Sequence, residues 1–219
     1  MDHNKITVVG NLESELELSH MTPSEAIYTG TLLVPRTSGT VDRVPLHIPG
    51  RLYDDARKAG QGMIIISGVV RVYSVQDGER SYTRPTLLAS YVNEVSEDTA
   101  SNYVSLVGTI CKPPVFRCTP FGREICDIML AVSGTHEHVN YIPCIVWGGN
   151  ARRSSKLEVG THLHVVGRFQ SREYNKLLES GEVEKRITYE VSVNRLRAKA
   201  SDAETGYTEL PEPAAVSEQ

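Results

Sequence analysis

The second half of this 219-residue sequence repeats the first. Similar residues recur at a separation that rises slowly along the chain from 98 to 101 positions, which indicates two copies of one fold that differ by small loop insertions. The matched positions are Asn4 and Asn102, Gly10 and Gly108, Val44-Pro45 and Ile142-Pro143, Gly62 and Gly160, Gly68 and Gly167, and Val92-Asn93 and Val193-Asn194.

The boundary between the copies falls in the short polar segment 96–101. Polar residues between two patterned regions are typical of a linker. The sequence therefore predicts a first domain over 1–97 and a second over 98–199. Residues 200–219 are acidic, contain proline and have few large apolar groups, so they are predicted to be a disordered tail.

Each copy contains five apolar runs broken by Gly, Pro and polar clusters, with one short helical segment after the third run. In the second copy the runs cover 102–110, 124–132, 138–147, 161–174 and 186–196, and the helical segment covers 150–156. The equivalent helix of the first copy covers 51–58. This is the layout of an OB-fold, so the predicted class is all-β, with two tandem five-stranded barrels and a helix between strands 3 and 4 of each.

Charge separates the two copies. Residues 1–99 hold 9 Lys/Arg and 13 Asp/Glu (net -4), residues 100–199 hold 14 and 9 (net +5), and residues 200–219 hold none and 5 (net -5). A surface that follows a phosphate backbone needs local positive charge, whatever the total charge of the chain. The second copy also has all three Phe and the only Trp, and stacked rings beside basic side chains are typical of binding to single-stranded nucleic acid.

Strand alternation selects particular rings within the segment 141–147. Tyr141, Pro143, Ile145 and Trp147 share one face, while the residues between them are predicted to face the barrel core. Tyr141 and Trp147 would then present two rings roughly 20 Å apart along the strand. Core or interface positions are the alternative for these rings.

The fourth strand of the second copy and the loop after it add basic residues. Arg168, Arg172 and Tyr174 alternate on one side of the strand, and Phe169 is predicted to face the core. Lys176 and Lys185 lie in a long hairpin that is predicted to close over a bound strand. The remaining candidate contacts are Arg117, Phe121, Arg123 and Arg152, of which Arg152 has a solvated helix face as its alternative.

Characteristic motifs extend in order over nearly the whole second copy, at residues 102–108, 117–122, 130–132, 141–147, Ala151, Gly160, 166–168, 171–174 and 189–191. In these motifs the copy resembles the bacterial single-stranded DNA-binding protein family. The resemblance implies an OB-fold, sequence-tolerant binding of single-stranded DNA, no catalysis and assemblies of four OB-folds, hence a homodimer here. By position, it places the stacking aromatics at Tyr141, Trp147 and Tyr174.

Two features depart from that family's pattern. The first copy has His47 and Pro49 where the second has Ile145 and Trp147, so DNA binding by the first copy is not implied. The C-terminus is acidic but ends Pro-Ala-Ala-Val-Ser-Glu-Gln, without the Pro-Phe ending that the family uses to recruit partner enzymes. The tail could instead compete with DNA, dock a basic partner or only add solubility.

The sequence does not favour a metalloprotein, a nuclease or a membrane protein. The four Cys and the His pair 162 and 164 are chemically suitable for zinc, but their spacing matches no compact site, so neither a metal nor a cofactor is predicted. The sequence has no cluster of carboxylates of the kind that metal-assisted hydrolysis by a nuclease needs. The absence of a long apolar run and the unpaired pattern of Cys indicate a soluble cytoplasmic protein without membrane contact. The alternative function is an adaptor that binds replication or recombination proteins.

Overall fold

The computed structural model describes residues 3–78, 80–95, 101–134, 138–177 and 181–199, and the backbone of 207–209. Strands form most of it, and two short helices follow the fourth and tenth strands. The elements are β1 (Asn4–Leu12), β2 (Glu17–Met21), β3 (Ala26–Pro35), β4 (Val41–Pro49), a 3-10 turn (Gly50–Leu52), α1 (Tyr53–Ala59), β5 (Ile64–Asp77), β6 (Arg80–Glu94), β7 (Asn102–Ile110), β8 (Val115–Cys118), β9 (Glu124–Ser133), β10 (Val139–Trp147), α2 (Gly149–Ser154), β11 (His162–Leu177), β12 (Val183–Lys199) and β13 (Tyr207–Glu209).

Five strands of the first repeat close into a barrel. β1 bends so that it pairs antiparallel with both β3 and β5, β3 pairs with β4, and β5 pairs with β6. The ring is completed by β4 and β6, which run parallel. This order of strands, with α1 between β4 and β5, is the predicted OB-fold. The short strand β2 adds to the free edge of β3.

The second repeat follows the same order. β7 pairs with β9, β9 pairs antiparallel with β10, and β10 runs parallel to β12. β11 lies between β7 and β12 in the sheet, and the short strand β8 adds to the edge of β9. The prediction of two tandem OB-folds, each with one short helix, is therefore confirmed.

Three short strands, β2, β8 and β13, were not predicted from the sequence. Every residue of β2 and β8 is exposed, so neither strand has the apolar alternation that identifies a half-buried strand. The long strands were found in the right places, but the predicted last strands were too short. β11 extends to Leu177 and β12 begins at Val183, because their outer parts form a polar hairpin.

Alternating apolar residues fill the two barrels. In β10, the residues predicted to face the core, Ile142, Cys144 and Val146, are buried, and Phe169 in β11 is fully buried as predicted. Each helix adds small residues to its barrel, Ala56 and Ala59 from α1 and Ala151 and Ser154 from α2. No helix among the described residues is both long enough and apolar enough to cross a membrane.

The repeated glycines Gly68 and Gly167 mark a close approach of two strands. A methyl group on Gly68 would meet the carbonyl oxygen of Leu88 in β6, and one on Gly167 would meet that of Ser192 in β12, both well inside van der Waals contact. Gly68 lies at a β-bulge, where the strand bends sharply. The closure of each barrel therefore requires a residue without a side chain at this point.

Replacing Gly68 with alanine is expected to lower the free energy of unfolding by about 1–3 kcal/mol, because the added carbon overpacks a site bounded by backbone. Urea denaturation of the full chain measures the change. Gly62→Ala is the matched control in the same repeat, since a methyl group there meets no atom within 4 Å. Equal stability of the two variants would contradict this account.

Contacts divide the chain into two compact units. The N-terminal unit comprises Lys5–Val104 and Phe169–Glu190, so it includes the outer part of the β11–β12 hairpin. The C-terminal unit comprises Met1–Asn4, Ser105–Arg168 and Val191–Gln219. The predicted boundaries after residues 97 and 199 remain predictions, and the segments 96–100, 200–206 and 210–219 lie outside the described residues.

Candidate nucleic-acid interface

One face of the sheet β8–β9–β10 in the C-terminal unit contains the predicted aromatic residues. Residues directly opposite each other on paired strands share a face. Trp147 lies opposite Ile125, and Ile125 lies opposite Arg117 on its other side. Tyr141 lies opposite Ala131 on the same face. The register therefore places Tyr141, Trp147 and Arg117 on one side of the sheet, as the alternation of β10 predicts.

Tyr141 and Trp147 differ in how firmly they are held. The Tyr141 ring is 55% exposed, so it is free to stack with a planar group. Trp147 is half-buried, and its indole Nε1 donates a hydrogen bond to the Ser192 hydroxyl at 3.1 Å. This bond fixes the ring, because indole has only one polar hydrogen. Ile145, expected on the exposed face, is 3% exposed, so the side chains between the two rings are not all open to solvent.

The turn between β8 and β9 presents Phe121 to solvent. Phe121 is 91% exposed, and Gly122 beside it has a φ of 72°, a conformation that favours glycine. The turn is closed by hydrogen bonds between Thr119 and Arg123, in which each backbone N–H donates to the other residue. An exposed ring on a defined turn is available for contact, and Arg123 stands next to it with an exposed side chain.

The Arg117 guanidinium is paired with a carboxylate of the protein itself. Its guanidinium makes two hydrogen bonds to the Asp127 carboxylate, at 2.6 and 3.1 Å. Asp127 lies opposite Ile145 in β10, so the pair is on the same face as Trp147. Both side chains are well exposed, so the pair is weak and can be rearranged by a phosphate.

Arg152 is an exposed residue of α2. Its guanidinium pairs with Glu124 at 2.5 Å. Glu124 has the same strand parity as Cys126 and Ile128, which are buried in the core, and the opposite parity to Ile125. The partner of Arg152 therefore has the parity of the core side of β9, unlike the residues opposite Tyr141 and Trp147, and contact of Arg152 with nucleic acid stays a prediction.

Arg168 is half-buried in β11 of the C-terminal unit, whereas the other predicted residues of this strand belong to the N-terminal unit. Arg172, Tyr174, Lys176 and Lys185 all lie on the β11–β12 hairpin and are exposed. The Arg172 guanidinium lies 5.9 Å from the centre of the Tyr174 ring and 3.7 Å from the Glu190 carboxylate. The hairpin thus presents one ring and several cations, and its tip, 178–180, lies outside the described residues.

The corresponding face of the first repeat contains a cluster of aromatic and basic side chains that was not predicted from the sequence. His47, at the position equivalent to Ile145, is 6% exposed, and its ring centre lies 4.3 Å from that of Tyr73 and 6.0 Å from that of His20. The Arg71 guanidinium lies 5.6 Å from the Tyr73 ring. Alternation of Arg71 and Tyr73 in β5 was the available signal.

Burial and nearby positive charge control the protonation of His47. Its pKa is lowered from 6.5 to about 4, mostly by desolvation and to a smaller extent by the charges of Arg84, His20 and Arg71. The Nδ1 atom of His47 is buried without a hydrogen-bond partner. At neutral pH this face therefore centres on an uncharged imidazole.

The histidine pair of β11 makes ordinary hydrogen bonds to the neighbouring strand β7. His162 is bonded to Thr109 at 3.0 Å and His164 to Ser105 at 2.9 Å. Burial lowers the pKa of His164, and the positive charge of Arg197 lowers it further. Among the described residues, no three side chains of metal-ligating type lie together.

Comparison with known proteins finds a family model that is similar to the second repeat. Residues 101–198 match the model of the single-strand binding protein family. Over 80 residues, the chain is 35% identical to Single-stranded DNA-binding protein 2 of Listeria innocua and 36% identical to that of Listeria monocytogenes. Each match covers 33% of this chain and 50% of the relative, so the chain spans about half the length of the curated relatives it matches.

Solved structures resemble nearly the whole chain. The wild-type single-stranded DNA binding protein from Thermus aquaticus is 23% identical, with 93% of this chain and 96% of that chain covered and a TM-score of 0.67. A deletion mutant of the same protein is 24% identical, with 91% and 96% covered and a TM-score of 0.65. At these identities the likeness supports the fold of both repeats.

Proposed function

We propose that this chain binds single-stranded DNA without catalysis, because residues 101–198 match the model of the single-strand binding protein family. The observation that carries the proposal is the pair of rings on one face, with Tyr141 55% exposed and Trp147 fixed by Ser192. Bases of any identity stack on such rings, and this makes the binding sequence-tolerant.

Positive charge in the second repeat supports the electrostatic part of the proposal. Residues 100–199 hold a net charge of +5, although the whole chain holds -4. We assign phosphate contacts to Arg123 and Arg117 beside the aromatic face and to Arg168, Arg172, Lys176 and Lys185 in β11 and its hairpin. Protein that coats a single strand in this way protects it during replication, recombination or repair.

The proposed assembly is a homodimer with four OB-folds. The Listeria relatives are named as single-stranded DNA-binding proteins, and the resemblance to that family implies four OB-folds, two of which this chain supplies. Two-fold pairing of identical chains is the simplest way to reach four. Light scattering of the full chain is expected to give twice the mass of one chain, and the mass of a single chain would contradict this proposal.

Quenching of tryptophan fluorescence tests the proposed function directly. Trp147 is the only tryptophan, and a base stacked on its ring quenches its emission. Titration of the full chain with oligo-dT is expected to quench the emission, and an equal concentration of duplex is expected to leave it nearly unchanged. Raising the salt concentration is expected to weaken binding, with a slope of about -0.7 per phosphate contact on a logarithmic plot.

Two outcomes contradict the proposal. Unchanged emission at saturating oligo-dT, together with no shift of the oligonucleotide in a gel, would exclude binding through this face. Affinity for duplex equal to that for a single strand would favour the alternative function, an adaptor that binds proteins of a replication or recombination complex. The net charge of -4 over residues 1–99 is the feature that favours this alternative for the first repeat.

A further inference from the structure

A buried carboxylate in the first repeat holds the base of the β11–β12 hairpin. Asp42 in β4 is fully buried and makes two hydrogen bonds with the Arg36 guanidinium, of which that from Nε to Oδ2 is 2.7 Å long. Its Oδ1 atom also accepts the backbone N–H of Ser171 at 2.8 Å. All three residues belong to the N-terminal unit.

Ser171 is fixed through each of its polar groups. Besides the bond to Asp42, its hydroxyl accepts the backbone N–H of Arg43 at 2.8 Å, and its carbonyl accepts a hydrogen bond from Arg36 at 3.3 Å. A buried charge is costly to desolvate, and such charges can be retained because they specify one arrangement. Here the arrangement specified is the path of β11 where it leaves the barrel.

The residues just beyond Ser171 are those assigned to nucleic acid. Arg172 follows directly, and its guanidinium lies over the Tyr174 ring. On the neighbouring strand, Glu190 lies 3.7 Å from Arg172 and accepts a hydrogen bond from Gln170 at 2.6 Å. A displacement of Ser171 therefore moves the ring and the cations together. Neither Asp42 nor Arg36 is among the residues assigned to DNA.

We propose that Asp42 is a positioning residue for DNA binding, which acts through Ser171 by holding the β11–β12 hairpin in place. The inference rests on the proposed function and on the hairpin as one of its contact surfaces. It assigns to the acidic first repeat a role in binding that requires no DNA contact of its own.

The variant Asp42→Asn tests the inference, because it keeps the shape of the side chain but removes its charge and one acceptor. Loss of a negative charge alone raises affinity for DNA, so Glu25→Gln serves as the matched control. Glu25 is another carboxylate of the first repeat, paired with Arg51. Compared with this control, Asp42→Asn is expected to bind labelled oligo-dT roughly tenfold more weakly. The salt slope is expected to fall by about one phosphate contact.

A double-mutant cycle separates positioning from general damage. If Asp42 acts through the hairpin, Asp42→Asn weakens binding less once Tyr174→Ala and Lys176→Ala have removed two of the hairpin contacts. Ser171→Ala removes only the acceptor for Arg43 and is expected to weaken binding in the same direction. It is the variant to use if Asp42→Asn does not fold. Hydrogen exchange is expected to be faster in the hairpin strands of either variant than in the wild-type chain.

The possible failures are distinguishable. A wild-type chain that does not bind oligo-dT would defeat the proposed function itself. A wild-type chain that binds, with Asp42→Asn or Ser171→Ala binding as tightly as Glu25→Gln, would overturn the inference and leave the proposed function intact. Fully additive effects in the cycle would also overturn it, since they would show that Asp42 acts on affinity independently of the hairpin.

Discussion

Replacement of both Tyr141 and Trp147 by alanine is expected to weaken binding to single-stranded DNA by about 2–6 kcal/mol. Each stacked base contributes about 1–3 kcal/mol, and the two side chains lie on one face of β10, where one strand of nucleic acid can reach both. Because the variant lacks tryptophan, binding is measured by the anisotropy of a labelled oligo-dT. The single variants divide the loss between the two rings.

Folding and binding must be separated in this experiment, since Trp147 also donates to Ser192. Trp147→Phe keeps an aromatic ring without the indole N–H, so it is expected to retain most of the affinity. Tyr91→Ala is the control for loss of an exposed ring, because Tyr91 is 48% exposed and lies in the acidic first repeat. Affinity of the double variant within twofold of the control would show that these rings do not stack with bases.

Much of the fold could be predicted because structurally constrained residues occur at equivalent positions in both copies. The glycines matched between the copies include Gly68 and Gly167, which stand where a strand passes too close to its neighbour for a side chain. Asn102 was matched to Asn4, and its amide bonds both backbone groups of Phe169, at 2.7 and 2.8 Å. Residues with such constraints recur at equivalent positions, and their spacing indicates the strand order. Exposed edge strands carry no comparable signal.

The candidate site could be predicted only in part. Alternation along β10 is a local property, so it placed Tyr141 and Trp147 on one face of the sheet. The ion pair of Arg117 with Asp127 depends on the register of two strands, and that of Arg152 with Glu124 depends on the placement of α2. Local patterns do not contain this information, so neither ion pair could be predicted from the sequence.

The position of the hairpin base was also beyond sequence reasoning. Asp42 and Ser171 are 129 residues apart and belong to different repeats. Nothing in the pattern around Asp42 marks it as buried, because a charged residue near the start of a strand is usually solvated. Its full burial follows from the simultaneous pairing with Arg36 and Ser171, a tertiary arrangement of three separate segments.

The wild-type chain is expected to lose stability in mild acid, and replacement of His47 by isoleucine is expected to remove most of that loss. The pKa of His47 is about 4 in the folded protein and 6.5 when unfolded, so the unfolded chain binds the proton more tightly. Stability therefore falls as the pH drops below 6.5 and levels off below pH 4. The two values predict a loss of about 3 kcal/mol between pH 7 and pH 4.

Urea denaturation of the wild type and His47→Ile at several values of pH measures this difference, because carboxylate titration affects both chains alike. Isoleucine is the matched residue, since Ile145 occupies the equivalent position and is equally buried. At pH 7 the variant is expected to be at least as stable as the wild type, because it removes a buried Nδ1 that has no partner.

His162→Ala, which alters an exposed histidine of the second repeat, is expected to keep the wild-type pH dependence. Parallel losses in the wild type and His47→Ile would mean that the imidazole of His47 is protonated equally easily in the folded and unfolded chain. Below about pH 6.5 the first-repeat face would then carry a cation that a phosphate could use.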